Sequence, residues 1–408
     1  MIDLHRLGIR HVDLDMTNAC NFQCRYCYHS NNLVGDPSQH ILPEVKEKME
    51  ELIMRFKKNT SKDLNIAFFG GEPMVNFKGI VSMVERTGLR NWGMTSNLSL
   101  LREEMIPFFR ENHGSVHCSI DGCQEAHDMY RVKAGGASTW NEVARGAMIA
   151  LKINPNCTAR ATLMPNNIGL LYKSVIALKD LGFTKAALMT VNEETWTKAH
   201  WDIYEQELIK LVDFNVKNPG FYIKNFYDSI RGMNTPKTHN KQPKRCGAGF
   251  SMLAVSTNGN VWPCHRFTST DNTKPWYLGN ILEDKIDIAK LKEYQNSFVI
   301  PEKCKSCELI SSCNMGCPNV SLNLGGLNEV SQAQCDYMER SSKVAKILMK
   351  RLSGTNNIYS KMMRGHRNQH RNRGRMKQRT NNKPRSQKVK NRIVKFNSIA
   401  GEFLSRNN

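Results

Sequence analysis

The sequence predicts an α/β protein organised around parallel strands, and three observations carry that reading. First, over roughly the first 215 residues, six short β-rich runs alternate with six amphipathic stretches of helical length. The strands are expected at residues 11–16, 64–69, 92–96, 115–120, 158–164 and 185–191, and the helices at 43–57, 78–87, 102–111, 139–152, 169–181 and 201–216. Second, the helical stretches have the right period. Pro43 suits a first helical position, and Val45, Met49, Leu52, Ile53 and Phe56 then recur on one face. Third, four successive strand ends carry polar or glycine-rich motifs. A cysteine loop follows the first, Gly70-Gly71-Glu72-Pro73 the second, Ser96-Asn97 the third and Ser119-Ile120-Asp121-Gly122 the fourth. Parallel α/β folds build their pockets at those ends. The alternation alone fits an open sheet as well as a barrel.

At 408 residues the chain is long enough for two or three domains with a buried core. No apolar run approaches the roughly 18 residues that span a bilayer, and the N-terminus lacks a secretory pattern. The thirteen cysteines are therefore expected in a reducing cytoplasm, where clustered thiols hold metal and do not pair as disulfides. The formal net charge is +21, but residues 355–408 carry fifteen Lys and Arg against a single acid, Glu402. Two thirds of the excess thus sits in a tail, expected to be disordered when free. Residues 217–245 read as an irregular bridge, and a last helix is expected over 336–352, stopped at Gly354.

Cys20, Cys24 and Cys27, in Cys-Asn-Phe-Gln-Cys-Arg-Tyr-Cys, place three soft thiolates around one centre. A cubane [4Fe-4S] cluster held this way keeps one iron open. A structural zinc completed by the nearby His29 is the alternative for these residues alone. In Gly70-Gly71-Glu72-Pro73, paired glycines let backbone approach a ligand closely, and backbone carbonyls with the Glu72 carboxylate can face an ammonium group. Seven further cysteines follow: Cys246 and Cys264, with Gly259 between them, then Cys304, Cys307, Cys313, Cys317 and Cys335. Zinc knuckles are the alternative here.

The C-x3-C-x2-C loop and the Gly-Gly-Glu-Pro turn one βα unit later resemble the radical S-adenosylmethionine (SAM) superfamily. The later cysteine spacing resembles the SPASM auxiliary-cluster domain of its peptide-maturing members. The resemblance implies a partial (β/α)6 TIM-like barrel over residues 1–225, a cysteine-rich SPASM domain with a closing helix over 226–354, and a basic tail over 355–408. It implies that Cys20, Cys24 and Cys27 hold a [4Fe-4S] cluster whose open iron chelates SAM, and that reductive cleavage gives a 5′-deoxyadenosyl radical. Of two auxiliary [4Fe-4S] clusters, one would be held by Cys304, Cys307, Cys313 and Cys335, the other by Cys246, Cys264 and Cys317. That second set has no fourth thiolate. Tyr26 would pack near the adenine, Gly70 to Pro73 would bind the SAM amino group, and Ser119 and Asp121 would lie close to SAM or substrate. Ser96 and Asn97 would suit ribose hydroxyls, and Arg131, Arg145 or Arg160 the SAM carboxylate.

His265, directly after Cys264, stands where sulfatase-maturing members carry an Asp base, so sulfatase maturation is disfavoured and a thioether- or carbon–carbon-forming peptide enzyme is expected. His265 can accept a proton near neutrality or support the cluster. Cys123 is a second catalytic candidate beside the Asp121-Gly122 turn, while Cys118 reads as a small buried hydrophobe.

Two classes of function remain. The first is an enzyme that abstracts hydrogen from a peptide or protein, leaving a crosslink or an oxidised side chain, with flavodoxin or ferredoxin as reductant. A variant would act on RNA. The second is a non-catalytic, metal-stabilised nucleic-acid-binding protein whose operative part is the tail, with nucleic acid or ribosome as partner. Glu72 and its glycines separate the two, since a binding module has no use for an ammonium site. Because the first strand is expected almost at the start of the sequence, no leader-peptide-binding domain of the kind many peptide-maturing relatives carry is expected before it.

Overall fold

Strand β1 (His11–Thr17) follows from its alternation: Val12, Leu14 and Met16 are buried on one face and Asp13, Asp15 and Thr17 on the other. Burial of both faces is the mark of a strand inside a parallel sheet. The computed structural model describes residues 2–29, 39–233 and 246–352. After β1 come α1 (Pro43–Thr60), β2 (Asn65–Gly70), α2 (Phe77–Thr87), β3 (Trp92–Ser96), α3 (Ile106–Glu111) and β4 (Gly114–Ser119). Then follow α4 (Gln124–Asp128), α5 (Trp140–Ile153), β5 (Ala159–Leu163), α6 (Leu171–Asp180), β6 (Lys185–Thr190), α7 (Lys198–Lys217), β7 (Tyr222–Ile223) and α8 (Lys224–Met233). All six expected strands are present, each within one residue of its expected ends. Helix α1 buries the five apolar residues named above and ends at Ser61, whose φ of 54° breaks the helix.

The cysteine-rich half adds β8 (Met252–Val255), β9 (Val261–Trp262), β10 (Gly279–Asn280), β11 (Lys285–Ile286), α9 (Ile288–Asn296), α10 (Glu302–Lys305), α11 (Pro318–Asn323) and α12 (Gln332–Arg351). Its first strand joins the main sheet, whose order is β7-β6-β5-β4-β3-β2-β1-β8-β9. Strand β8 runs parallel to β1, with His11 opposite Met252 and Leu14 opposite Val255. Only β9 is antiparallel, and β7 and β9 stand at opposite ends, so the sheet does not close. This is a partial barrel.

Two expectations change. The segment read as an irregular bridge contains β7 and α8, because Phe226, Tyr227 and Ile230 bury one helical face. The expected boundary at 225/226 falls inside α8, and the described residues belong to one compact unit. Helix α12 then packs across both halves: Tyr204 of α7 meets Ser341 at 2.9 Å, and Asn225 of α8 donates to the Tyr337 hydroxyl at 2.6 Å. The basic tail lies outside the described residues. No described helix is long and apolar enough to cross a membrane.

Candidate functional site

The Cys20–Cys27 loop leaves β1 at Thr17 and is held by its neighbours' backbone. Gln23 N donates to Val132 O at 2.7 Å, Arg25 N to Tyr130 O at 2.9 Å, and Cys27 N to Cys24 O at 3.0 Å. The Gly-Gly-Glu-Pro turn lies directly on the loop's first residues. Gly71 N donates to Thr17 O at 2.9 Å and Glu72 N to Ala19 O at 2.8 Å. A Cβ at Gly70, whose φ is +125°, would fall 1.9 Å from Thr17 O, and one at Gly71 would fall 2.3 Å from Ala19 O. Both glycines are required by this approach of backbone to backbone. Pro73 then opens a short 3-10 turn.

Glu72 does not face outward as expected. Its carboxyl is 1% exposed and accepts from Asn97 N at 2.6 Å, Ser96 Oγ at 2.9 Å and Met74 N at 3.1 Å. Burial pushes its pKa up to about 7, against those three hydrogen bonds, which lower it. Glu72 is thus a brace between the ends of β2 and β3. Ser96 and Asn97 are likewise committed to the protein. Asn97 Nδ2 donates to Asn21 Oδ1 at 2.8 Å, and its Oδ1 accepts from Ser99. They fasten the cysteine loop, and ribose contact is not their geometry here.

Asp121 gathers the far side of the site. Its Oδ2 accepts from the Tyr26 hydroxyl at 2.6 Å and lies 3.1 Å from Arg131 Nε, and its Oδ1 accepts from Thr162 N at 2.9 Å. Arg131 also sits over the Tyr26 ring, 5.4 Å from its centroid. Arg131 is therefore committed to Asp121, and Arg145 reaches only the Ser99 carbonyl at 3.5 Å. Ser119 is half-buried at the end of β4. Cys123 does not enter the site: it is buried against Ser174 of α6, 3.5 Å from its hydroxyl, so packing accounts for it. Cys118 is buried as expected, with its sulfur 3.7 Å from that of Cys157, a pairing the spacing gave no sign of.

The cysteine groups fit clusters. Burial, with the charges of Glu72, Cys24 and Cys27, pushes the thiol of Cys20 up to about 12, and burial pushes that of Cys24 up to about 11. Three thiols this close stay protonated until a metal centre displaces their protons. Among the described residues no three His, Cys, Asp or Glu side chains converge as tightly as a single ion needs. Thiolates spread around a four-iron core have no such need. Cys304, Cys307, Cys313 and Cys335 line one cavity of about 500 Å³, with Met315 and Val330 as apolar wall. Burial raises the Cys264 thiol, and the charges of Cys317 and Cys246 add to the rise.

Sequence reasoning missed the residue that joins the two halves. His265 Nδ1 lies 2.7 Å from Asp13 Oδ2, and His11 Nε2 lies 2.7 Å from Asp13 Oδ1. Burial raises the Asp13 pKa, but these two histidines outweigh it and hold the carboxyl down at about 2. A carboxylate only accepts, so Nδ1 of His265 donates to Asp13. The imidazole is stacked on Phe69 at 4.3 Å and 11°. The signal was available: acids at alternate positions of a strand buried on both faces demand partners.

Asp15, the other acid on that face, is 2% exposed, and its Oδ1 has no hydrogen-bond partner. Burial pushes its pKa from 3.8 up to about 7, the Asp13 charge adds to this, and a hydrogen bond with Thr268 opposes it. The folded chain therefore keeps a proton that the unfolded chain releases above about pH 4, and stability falls as pH rises from about 4 to about 7. Asp15→Asn should remove that loss, raising the unfolding free energy of the metal-free chain at pH 8 by on the order of 4 kcal/mol at most and leaving it little changed at pH 4. Equal effects at both pH values would contradict this.

Residues 14–168 match the radical SAM superfamily model, and residues 246–318 match SPASM, an iron–sulfur cluster-binding domain. The chain belongs to the radical SAM superfamily and carries a SPASM domain; it is an enzyme that uses SAM, a [4Fe-4S] cluster and auxiliary iron–sulfur clusters. The radical SAM cyclopropyl synthase TigE of Paramaledivibacter caminithermalis is 22% identical over 371 residues, 84% of this chain and 74% of that protein. The cysteine-type anaerobic sulfatase-maturating enzyme of Clostridium perfringens strain 13 is 23% identical over 336 residues, 74% of this chain and 86% of that enzyme. The solved structure of native anSMEcpe with bound AdoMet superposes with a TM-score of 0.67 at 22% identity, covering 83% of this chain and 98% of that one, which establishes the shared fold.

Proposed function

We propose that this enzyme abstracts hydrogen from a peptide or protein and leaves a crosslinked or oxidised side chain. The observation that carries the reading is the Asp13–His265 contact, which brings the residue next to Cys264 onto the strand that ends in the Cys20 loop. Cys20, Cys24 and Cys27 would hold the cluster at which SAM is cleaved. Cys304, Cys307, Cys313 and Cys335 would hold one auxiliary cluster, and Cys246, Cys264 and Cys317 another. When bound, SAM and its cluster supply a carbon radical able to take a hydrogen atom.

The chain's own residues do the rest. Gly70 and Gly71 let the turn close on the cysteine loop, and Glu72 locks it to β3. Tyr26, Asp121 and Arg131 form the opposite wall. His265 Nε2, oriented by Asp13 and Phe69, takes the proton that leaves the substrate as it is oxidised. Relatives named as a cyclopropyl synthase and as sulfatase-maturating enzymes support chemistry of this class. A reductant such as flavodoxin or ferredoxin and a cytoplasmic setting complete the proposal.

Anaerobically reconstituted enzyme should transfer deuterium into 5′-deoxyadenosine from a peptide pool deuterated at carbon, and not from a deuterated RNA pool. Mass spectrometry reads the transfer. Deuterium from RNA alone would move the target to RNA, and none from either with SAM still cleaved would remove both.

A further inference from the structure

Cys118, Cys123 and Cys157 stand outside the cluster sets, and two of them meet. Cys118 of β4 and Cys157, in the turn before β5, are 39 positions apart in sequence and bring their sulfurs to 3.7 Å. Their surroundings give them different tasks. The Cys118 thiol donates to Cys157 and so lowers the Cys157 pKa, and the Lys185 charge lowers it further, against burial. The same contact, with burial, pushes Cys118 up. Cys157 is therefore the sulfur that ionises, and Cys118 keeps its proton. Cys157 is also the nearer to solvent. Its turn is closed by its own N–H on Asn154 O at 3.0 Å and leaves Pro155 and Asn156 exposed. A thiol of lowered pKa close to the surface, with a second thiol behind it, is the arrangement that redox-sensing cysteines need.

The pair also lies at a weak place in the sheet. Strands β4 and β5 pair at Cys118–Ala159 and Ser119–Arg160, whereas β3 pairs with β4 from Trp92 to Ser96 and β5 with β6 from Ala159 to Leu163. Cys157 sits just short of this ladder, on the face that Cys118 and Ala159 bury. At the other end of the same seam, Thr162 N donates to Asp121 Oδ1 at 2.9 Å, and Asp121 holds Tyr26 and Arg131. A bond between the sulfurs would extend the seam below the residues that keep this wall in place.

We propose that Cys118 and Cys157 are a redox-sensitive dithiol whose disulfide staples the β4–β5 seam. The oxidant is hydrogen peroxide. The Cys157 thiolate attacks one peroxide oxygen, the O–O bond breaks, and the departing hydroxide takes up the proton that Cys157 released. The Cys118 sulfur then attacks the resulting sulfenic acid: the S–S bond forms, the S–O bond breaks, and hydroxide leaves with the Cys118 proton as a second water. Two electrons pass from the sulfurs to the peroxide. The sulfurs close from 3.7 Å to about 2.05 Å, and the turn at Cys157, outside the ladder, is the part that follows. Where thiols are otherwise kept reduced, such a bond is transient, made under oxidant and undone by a dithiol.

Reconstituted full-length enzyme exposed anaerobically to hydrogen peroxide, then quenched in acid, alkylated and digested, tests this by mass spectrometry. A peptide joining Cys118 to Cys157, two hydrogens lighter than the sum of its parts and lost on treatment with dithiothreitol, is the expected product. Dimedone should label Cys157 in Cys118→Ser, where the sulfenic acid has no thiol to meet, and should leave Cys118 unlabelled in Cys157→Ser. Iron content before oxidation must match that of the unaltered enzyme in both variants, and if it does not, the linkage map of the unaltered enzyme decides alone. Hydrogen exchange at the Ile120 and Thr162 amides should slow once the bond has formed. Both thiols recovered alkylated and unlinked after peroxide, or Cys157 joined to a cluster cysteine, would overturn the dithiol. A linked peptide with exchange at both amides unchanged would overturn the staple.

Discussion

Enzyme in which Cys20, Cys24 and Cys27 are all changed to Ala should form no detectable 5′-deoxyadenosine and should lose about four of about twelve irons per chain. The three residues occupy one loop, pinned at Tyr130, Val132 and the Gly70–Glu72 turn, and no described group stands by to replace three thiolates at once. The auxiliary sites should stay loaded, because Cys304, Cys307, Cys313 and Cys335 line their own cavity. Iron counting and a SAM-cleavage assay check both halves of the expectation. A triple variant that still cleaves SAM would dissociate this loop from the chemistry, and one that loses all its iron would mean that the cluster sites do not fill independently.

The second large effect is structural. Glu72→Ala should lower the stability of the metal-free chain by about 3 kcal/mol or more, since it strands the buried donors of Asn97, Ser96 and Met74 together. Glu72→Gln keeps an amide oxygen and should retain part of that loss, with a denaturation midpoint between the other two. The same series should loosen the cysteine loop, because Asn97, with Ser99, holds Asn21. Faster loss of iron from Glu72→Ala on exposure to a chelator is the companion measurement. Equal midpoints for all three proteins would mean that the carboxyl is not the brace its hydrogen bonds describe.

The six parallel strands were legible because each is a short β-rich run separated from the next by a stretch of helical period. The grouping of Glu72, Ser96 and Asn97 was also legible, as polar residues at neighbouring strand ends. What they hold was not, since hydrogen bonds among side chains distant in sequence leave no trace in spacing. The tie that Glu72 makes to β3 thereby went unread. Asp13 went unweighed for the opposite reason: its partner His265 comes from the far half of the chain, and only the sheet order brings them together. Helix α8 was lost because ten residues give too few turns for a period to stand out from a polar stretch. Strand β8 is shorter still, and its place beside β1 is a matter of topology alone.

That place has a consequence for how the chain is made. On a ribosome, β1 emerges before the other strands of the sheet, and β2 soon covers one of its edges, but the other stays bare until β8 has been synthesised, after all the other parallel strands. Through that interval the nascent protein presents an unsatisfied row of backbone groups beside the thiols that must later receive iron. Closure of the β1–β8 seam is therefore the step that commits the polypeptide, and loading of metal before it would meet a half-built receptacle.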